Sequence, residues 1–356
     1  MFARLCLVAC LVLLTACSPS GKPDAPPPAK AAAPKPLPPA PPALVERLNA
    51  LAGEFGGDVG IAVRDVQSGW LAGVDADSIY PQQSVRKFWV ALALLDGVDH
   101  GRVRLDEPVV IRREDLSVFH QPLRGKVGQN GFATTYDWLL VEALTKSDNA
   151  ANDALIRRNG GPEAVAGVLA AKGIEGVRIG PLEPALQSAA AGLAWRPEYA
   201  FDWNFQHARE ALPDVVRRTS LQAYLDDPTD GATPAAITAG LARLKRGELL
   251  SPASTARLLE IMAASETGKK RLRAGLGEGW TLSHKTGTGQ ELGAMTTGYN
   301  DVGLLTAPDG RAYAVAVMIR KTTKRLELRQ QLIADVARAV VAQHDGTLGA
   351  EAAPAT

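Results

Sequence analysis

The sequence predicts a mixed α/β (α+β) fold: an antiparallel sheet built from both ends of the folded chain and flanked by helices, with an all-α lobe inserted. Three observations predict it. Val59-Gly60-Ile61-Ala62-Val63-Arg64-Asp65-Val66 reads as a strand, and the turn residues Gln67-Ser68-Gly69 lead to a second strand around Trp70 to Val74, which makes a hairpin. Near the other end, Asp301 to Thr306 and Ala312 to Ile319 flank the turn Pro308-Asp309-Gly310, and a helical pattern follows from about Leu326 to Val341. Between these two sets, from about Ser84 to Met262, apolar residues recur mostly at helical spacing with Gly and Pro breaks. Strands at both ends around a helical middle are the pattern of a sheet closed by both termini.

Size and composition fit an enzyme with an ordinary core. The chain has 356 residues, 46% of them apolar and 22% charged, enough to bury one large domain. A formal net charge of +1 draws the protein neither to nucleic acid nor to an acidic membrane surface. The five histidines (His100, His120, His207, His284, His344) are scattered, with no pair at metal-ligand spacing. No Gly-rich phosphate loop or dinucleotide fingerprint stands out. No metal and no cofactor is expected, and the partner is a small molecule or a peptide.

Taken in order, the elements begin with a leader over residues 1–17. Arg4 precedes an apolar stretch from Leu5 to Leu14, then Thr15-Ala16-Cys17, the pattern of an export signal too short to span a bilayer as a permanent helix. Leu14-Thr15-Ala16-Cys17 also resembles the lipobox of bacterial lipoproteins. That resemblance implies lipidation of Cys17 as the mature N-terminus; a soluble export signal with a chance cysteine is the other reading. All three cysteines (Cys6, Cys10, Cys17) lie in this leader, so an internal disulfide or thiolate site is ruled out. Residues 18–42 are dominated by Pro, Ala and Lys and read as a semi-rigid spacer. The folded domain is expected over 43–345, opening on a short helix with Val45, Leu48 and Leu51 on one face. Its sheet lobe comprises about 43–78 and 264–345, and its helical lobe about 79–263. A frayed tail occupies 346–356.

Three short motifs could carry chemistry. Ser84-Val85-Arg86-Lys87 opens a helical run, which puts Ser84 and Lys87 on one face, so a desolvated amine can take the proton of a hydroxyl nucleophile. Alone, Ser84 serves equally well as a helix cap. Ser147-Asp148-Asn149 follows an apolar segment from Trp138 to Leu144 and could be a plain polar turn. Lys285-Thr286-Gly287-Thr288-Gly289 follows the strand candidate Trp280-Thr281-Leu282-Ser283 and could be a glycine-rich bend.

Together and in this order, the three motifs resemble the class A serine β-lactamase family, within the wider penicillin-binding and β-lactamase superfamily. The likeness runs from about residue 43 to 345. It includes Asn159-Gly160-Gly161-Pro162-Glu163-Ala164, Asp227 through Pro234, Leu249-Leu250-Ser251-Pro252 and Asn300 through Leu304. The resemblance implies roles. Ser84 is the acylated nucleophile, Lys87 activates it, and Ser147 passes a proton to the leaving nitrogen beside Lys285. Asn149 holds the substrate side-chain amide, and Lys285, Thr286 and Thr288 bind its carboxylate. The backbone N–H groups of Ser84 and Thr288 form the oxyanion hole.

The deacylating base implied by register is Glu183, with Glu198 of Arg196-Pro197-Glu198 as the rival. Gln187 stands where the family carries an asparagine, and offers the same amide from one methylene further away. Pro181 stands where it carries an arginine, so that arginine's loop-closing ion pair, here with Asp230, is missing. Some thirty extra residues lie between Gln187 and Asp227, including Trp195, Tyr199, Phe201, Trp203 and Phe205 and a helical stretch from Pro213 to Leu225. Their aromatics predict a packed brace for the loop, with a lid over the cleft as the other reading. Phe119-His120 falls about where the family places an aromatic at the cleft rim.

The implied function is hydrolysis of the β-lactam amide of penicillin- and cephalosporin-type antibiotics. The alternative is a DD-peptidase or penicillin-binding hydrolase or sensor with slow deacylation. The expected partners are the β-lactam alone and a membrane through the lipid anchor only, with the protein a monomer. Its expected place is the periplasmic side of a bacterial membrane, the outer membrane favoured by Ser18 after the cysteine.

Overall fold

The structure is a computed structural model that describes residues 37–348. The leader with Cys17, the spacer up to residue 36 and the tail beyond Leu348 lie outside the described residues. Helix α1 (Pro42–Phe55) starts on a proline, whose missing N–H is no loss in a first turn, and buries Leu44, Leu48, Leu51 and Phe55. Strands β1 (Val59–Asp65) and β2 (Leu71–Val74) follow. Their turn is pinned by Asp65, whose carboxylate accepts the Ser68 N–H at 2.6 Å and hydroxyl at 2.8 Å.

After the short strand β3 (Tyr80–Pro81) comes α2 (Lys87–Asp99), buried along almost its whole length. Strands β4 (Pro108–Ile111) and β5 (Phe132–Thr135) form an antiparallel ribbon. Helices α3 (Tyr136–Val141), α4 (Asn149–Arg158) and α5 (Pro162–Ala171) complete this part of the lobe. Then come α6 (Glu183–Ala191), α7 (Asn204–Glu210), α8 (Asp214–Asp226), β6 (Gly231–Ala232), α9 (Pro234–Lys245) and α10 (Pro252–Ala263). Caps set several of these starts. Thr135, Asp148, Thr233 and Ser251 each accept a backbone N–H of the helix they precede.

The chain returns to the sheet through β7 (Thr281–Gly287), β8 (Glu291–Leu292), β9 (Met295–Thr306) and β10 (Ala312–Thr322), and ends on α11 (Leu326–His344). The sheet is antiparallel in the order β2-β1-β10-β9-β7, with β8 paired to β9. It is built from both ends of the described chain, as the sequence predicted. Strand β10 shows how it sits between two layers. Tyr313, Val315, Val317 and Ile319 pack with α1 and α11, while Ala312, Ala314, Ala316 and Met318 face the helical lobe. Alanines on that side leave room for α9 to lie close.

Two features extend the sequence reading. The lobe expected to be all-α also carries the β4–β5 ribbon and the β3–β6 pair, which suits the β-branched Val109-Val110-Ile111 and Thr134-Thr135. Strand β9 begins at Met295, six residues ahead of Asp301, since Thr296, Thr297 and Gly298 carry no apolar signal despite being buried. Among the described residues, no helix is long and apolar enough to cross a membrane.

Candidate active site

The site starts at a strained turn. Gln83 has φ +54°, a left-handed conformation that costs a residue with a Cβ roughly 1–2 kcal/mol. Its neighbours hold it there. The Gln83 N–H donates to Asp230 at 2.8 Å, its amide donates to the Tyr224 hydroxyl at 2.7 Å, and that hydroxyl donates to Asp230 at 2.8 Å. Next door, the buried Gln82 amide donates to the carbonyls of Arg178 and Asp230. The single 3₁₀ turn Gln83–Arg86 then runs directly into α2 and delivers Ser84 to the surface of the cleft.

Lys87 lies one turn on, and its Nζ donates to Ser84 Oγ at 3.1 Å. The same amine donates to the Ser147 carbonyl at 2.6 Å, to Ser147 Oγ at 3.3 Å and to Asn149 Oδ1 at 2.7 Å. Burial pulls the Lys87 pKa down to about 8, with Glu183 and Asp148 working against it. Ser147 is aimed by its backbone. A wide π turn over Glu142–Lys146 ends on Ser147 at φ +63°. The Asp148 carboxylate fixes the start of α4 by accepting the N–H groups of Leu123 and Ala151. Asn149 donates its amide to the Val118 carbonyl at 2.8 Å.

On the opposite wall, Lys285 Nζ donates to Ser147 Oγ at 2.9 Å. Its pKa is driven well below the usual lysine value by burial, and then by Lys87 and Arg271. The end of β7 comes close to the turn that carries Ser84 because Gly287 has no side chain. A Cβ there would lie 2.4 Å from the Gln82 carbonyl oxygen. Thr286 Oγ1 shares a 2.8 Å hydrogen bond with Thr267, and Thr288 Oγ1 accepts from Arg271 at 2.8 Å. The buried Arg271 also holds the carbonyls of Gly287 and Asn300, with its guanidinium 3.8 Å from the Tyr299 ring centroid.

Glu183 opens α6 and is buried in the same cleft as Ser84. One carboxylate oxygen accepts from Gln187 at 2.8 Å and the other is ion-paired with Arg86. Burial raises the Glu183 pKa, but the charges of Arg86 and Lys87 outweigh it and hold the carboxyl below the usual glutamate value. Arg86 is fully buried and also donates to the carbonyls of Ile179 and Pro181. Gln187 is itself clamped, donating to Gln83 at 3.1 Å and accepting from Gln290 at 2.8 Å.

The model of the Beta-lactamase enzyme family matches residues 43–344. The chain belongs to that family. It is 30% identical over 284 residues to Beta-lactamase L2 of Stenotrophomonas maltophilia, covering 79% of this chain and 80% of that one. Beta-lactamase VEB-1 of Pseudomonas aeruginosa is 25% identical over 79% of this chain and 83% of its own. Among solved structures, the ancestral (GNCA) class A beta-lactamase superposes with a TM-score of 0.67 at 34% identity, over 84% of this chain and 99% of that one. A beta-lactamase from Chitinophaga pinensis gives 0.68 at 27%, over 85% and 99%.

In this β-lactamase-family chain, one cleft of about 590 Å³ gathers Ser84, Ser147, Asn149, Glu183, Thr286 and Thr288 along its wall. Lys87 and Lys285 are buried immediately behind it. Glu198, the rival base, is not brought there. It sits on an exposed 3₁₀ turn, 3.8 Å from Arg196. Phe119 does reach the cleft rim, with His120 held by the Lys146 carbonyl at 2.8 Å.

The loop brace differs from the expected one. Asp230 is held by Gln83 and Tyr224 rather than by an arginine of its own loop, and Arg86 from the Ser84 turn grips the loop instead. The insertion also braces: α8 packs Leu221, Tyr224 and Leu225 on Leu186 and Ala190 of α6. Its aromatics are only partly packed. Trp195, Tyr199 and Phe205 form edge-to-face pairs, whereas Trp203 is 66% exposed. Sequence reasoning missed Arg86 and Arg271. Arg86 occupies a free position of its motif, and Arg271 follows two exposed lysines that look no different in sequence.

Proposed function

We propose that this chain hydrolyses the β-lactam amide of penicillin- and cephalosporin-type antibiotics through an acyl-enzyme on Ser84. The observation that carries the proposal is the Glu183 carboxylate, held by Gln187 and Arg86 in the cleft that also exposes Ser84. The β-lactamase names of the matched relatives support it.

Neutral Lys87 accepts the Ser84 hydroxyl proton as Oγ attacks the lactam carbonyl, with the N–H groups of Ser84 and Thr288 stabilising the oxyanion. The proton Lys87 has taken passes through Ser147, which also accepts a hydrogen bond from Lys285, to the ring nitrogen as the C–N bond breaks. Asn149 holds the side-chain amide, while Lys285, Thr286 and Thr288, with Arg271 behind, hold the ring carboxylate. Glu183 then takes a proton from a water that attacks the ester, and that proton is returned to Ser84 Oγ as the ester C–O bond breaks. A penicillin-binding hydrolase with slow deacylation is the second reading. Arg86 favours it, because its charge weakens Glu183 as a base.

Time-resolved mass spectrometry with benzylpenicillin separates the two. Hydrolysis predicts an adduct on the Ser84 peptide that clears within seconds while hydrolysed penicillin accumulates. An adduct lasting hours establishes the second reading, and no adduct overturns both. Because the acceptor is the neutral amine, the rate of adduct formation should rise with pH and level off above about 8; a profile flat through that range would remove Lys87 as the proton acceptor.

We also propose that the chain acts as a monomer, held by lipid on Cys17 at the periplasmic side of a bacterial membrane, the outer one favoured. The intact mass of chain extracted from membranes tests the anchor: it should correspond to a start at Cys17 plus acyl groups.

A further inference from the structure

We propose that the insertion gives the cleft a second anion-binding position, centred on Arg209, which selects β-lactams whose acyl side chain carries a carboxylate of its own. The inference rests on the acyl-enzyme reading of Ser84. Arg209 lies on α7 and lines the cleft with Ser84, Glu183, Gln187 and Gln290. Its guanidinium makes one hydrogen bond among the described residues, to the Glu291 carbonyl at 2.7 Å, and its Nε is buried without a partner. Neighbouring Arg217 has a carboxylate, Asp214, at 2.6 Å. Burial and then Arg217 act against the charge of Arg209, and only Glu210 supports it. The Glu291 carboxylate is turned to Thr296 at 2.8 Å and towards Arg329 at 3.8 Å. A partly buried guanidinium without a counter-ion gains most from a bound carboxylate, which it can hold with two parallel N–H groups.

Its position suits a second carboxylate and not the first. The ring carboxylate belongs with Lys285, Thr286 and Thr288. Thr288 is held by Arg271, whereas Arg209 is tied to the Glu291 carbonyl, three residues further along the chain, so the two cations are anchored at different points of the wall. The same short helix shapes the wall alongside. Phe205 of α7 is buried and holds Phe119 edge to face at 4.8 Å, and Phe119 lines the cleft. An aryl side chain bearing a carboxylate next to its amide would meet both groups, whereas a side-chain ammonium would meet an uncompensated cation.

The test is kcat/KM for benzylpenicillin and for its α-carboxy counterpart, which differ only by that group, in the wild-type chain, Arg209→Gln and Arg209→Lys. The ratio of carboxy to unsubstituted substrate should fall about tenfold in Arg209→Gln and recover in Arg209→Lys. A ratio that moves by less than about threefold in Arg209→Gln overturns the second anion position while the acyl-enzyme reading stands. A wild-type chain that forms no Ser84 adduct with either penicillin overturns both.

Discussion

Replacing Glu183 by glutamine is expected to leave Ser84 fully acylated by a penicillin and to slow release of the acyl group by about 10²–10⁴-fold, the usual contribution of a positioned general base. Glutamine has the shape of glutamate and still offers an oxygen to Arg86, but it cannot take a proton from water. Acylation should persist, because Ser84 is within reach of Lys87 at 3.1 Å without Glu183 between them. Intact mass after mixing with benzylpenicillin checks this: a stable adduct on nearly every molecule is the expected result. Turnover surviving at the wild-type rate would place the base elsewhere.

The second large effect concerns Arg86. Removing one partner of a buried ion pair leaves the other charge uncompensated and costs about 3–5 kcal/mol, and both side chains here are essentially inaccessible to solvent. Arg86→Met should therefore lower Tm by on the order of 10 °C. The loss should depend on pH. The Glu183 pKa is held below its unfolded value, so the pair's stabilisation is fully present above that ordinary carboxylate value and disappears as pH falls through the folded one. The Tm difference between wild type and Arg86→Met should accordingly shrink in acid. Arg86→Met combined with Glu183→Gln should recover part of the loss, since no buried charge then stands alone. Equal Tm values for wild type and Arg86→Met at pH 7 would remove the brace.

How much of this was legible in the sequence depends on the range of each contact. Ser84 and Lys87 face one another because helical geometry brings residues three apart together, and the hairpin around Gln67-Ser68-Gly69 is equally local. Ser147, Lys285 and Thr286 carry no local sign of their meeting; they were found because three short motifs in one order resemble a family. Arg86 could not be found that way. Its role depends on the segment from Ile179 to Glu183 folding back over α2, a contact across 97 residues, and nothing in Ser-x-x-Lys constrains the third residue. The missing arginine at Pro181 did signal that some other group must close the loop. The sequence favoured the aromatic insertion for that task, and the structure divides it between Arg86 and α8. Arg209 was hidden for a related reason: a cation in a polar helix reads as solvated until the fold turns it towards a cleft.

Tyr224 carries a wider consequence. It belongs to the insertion, yet its hydroxyl touches both Gln83, the residue before the proposed nucleophile Ser84, and Asp230. The segment best placed to vary as the protein meets new drugs is thus mechanically coupled to the one turn that must not vary. Under selection, lineages that reshape the insertion should keep a hydroxyl at position 224 or acquire compensating changes around Gln83. Breadth of resistance would then advance through paired substitutions more readily than through single ones.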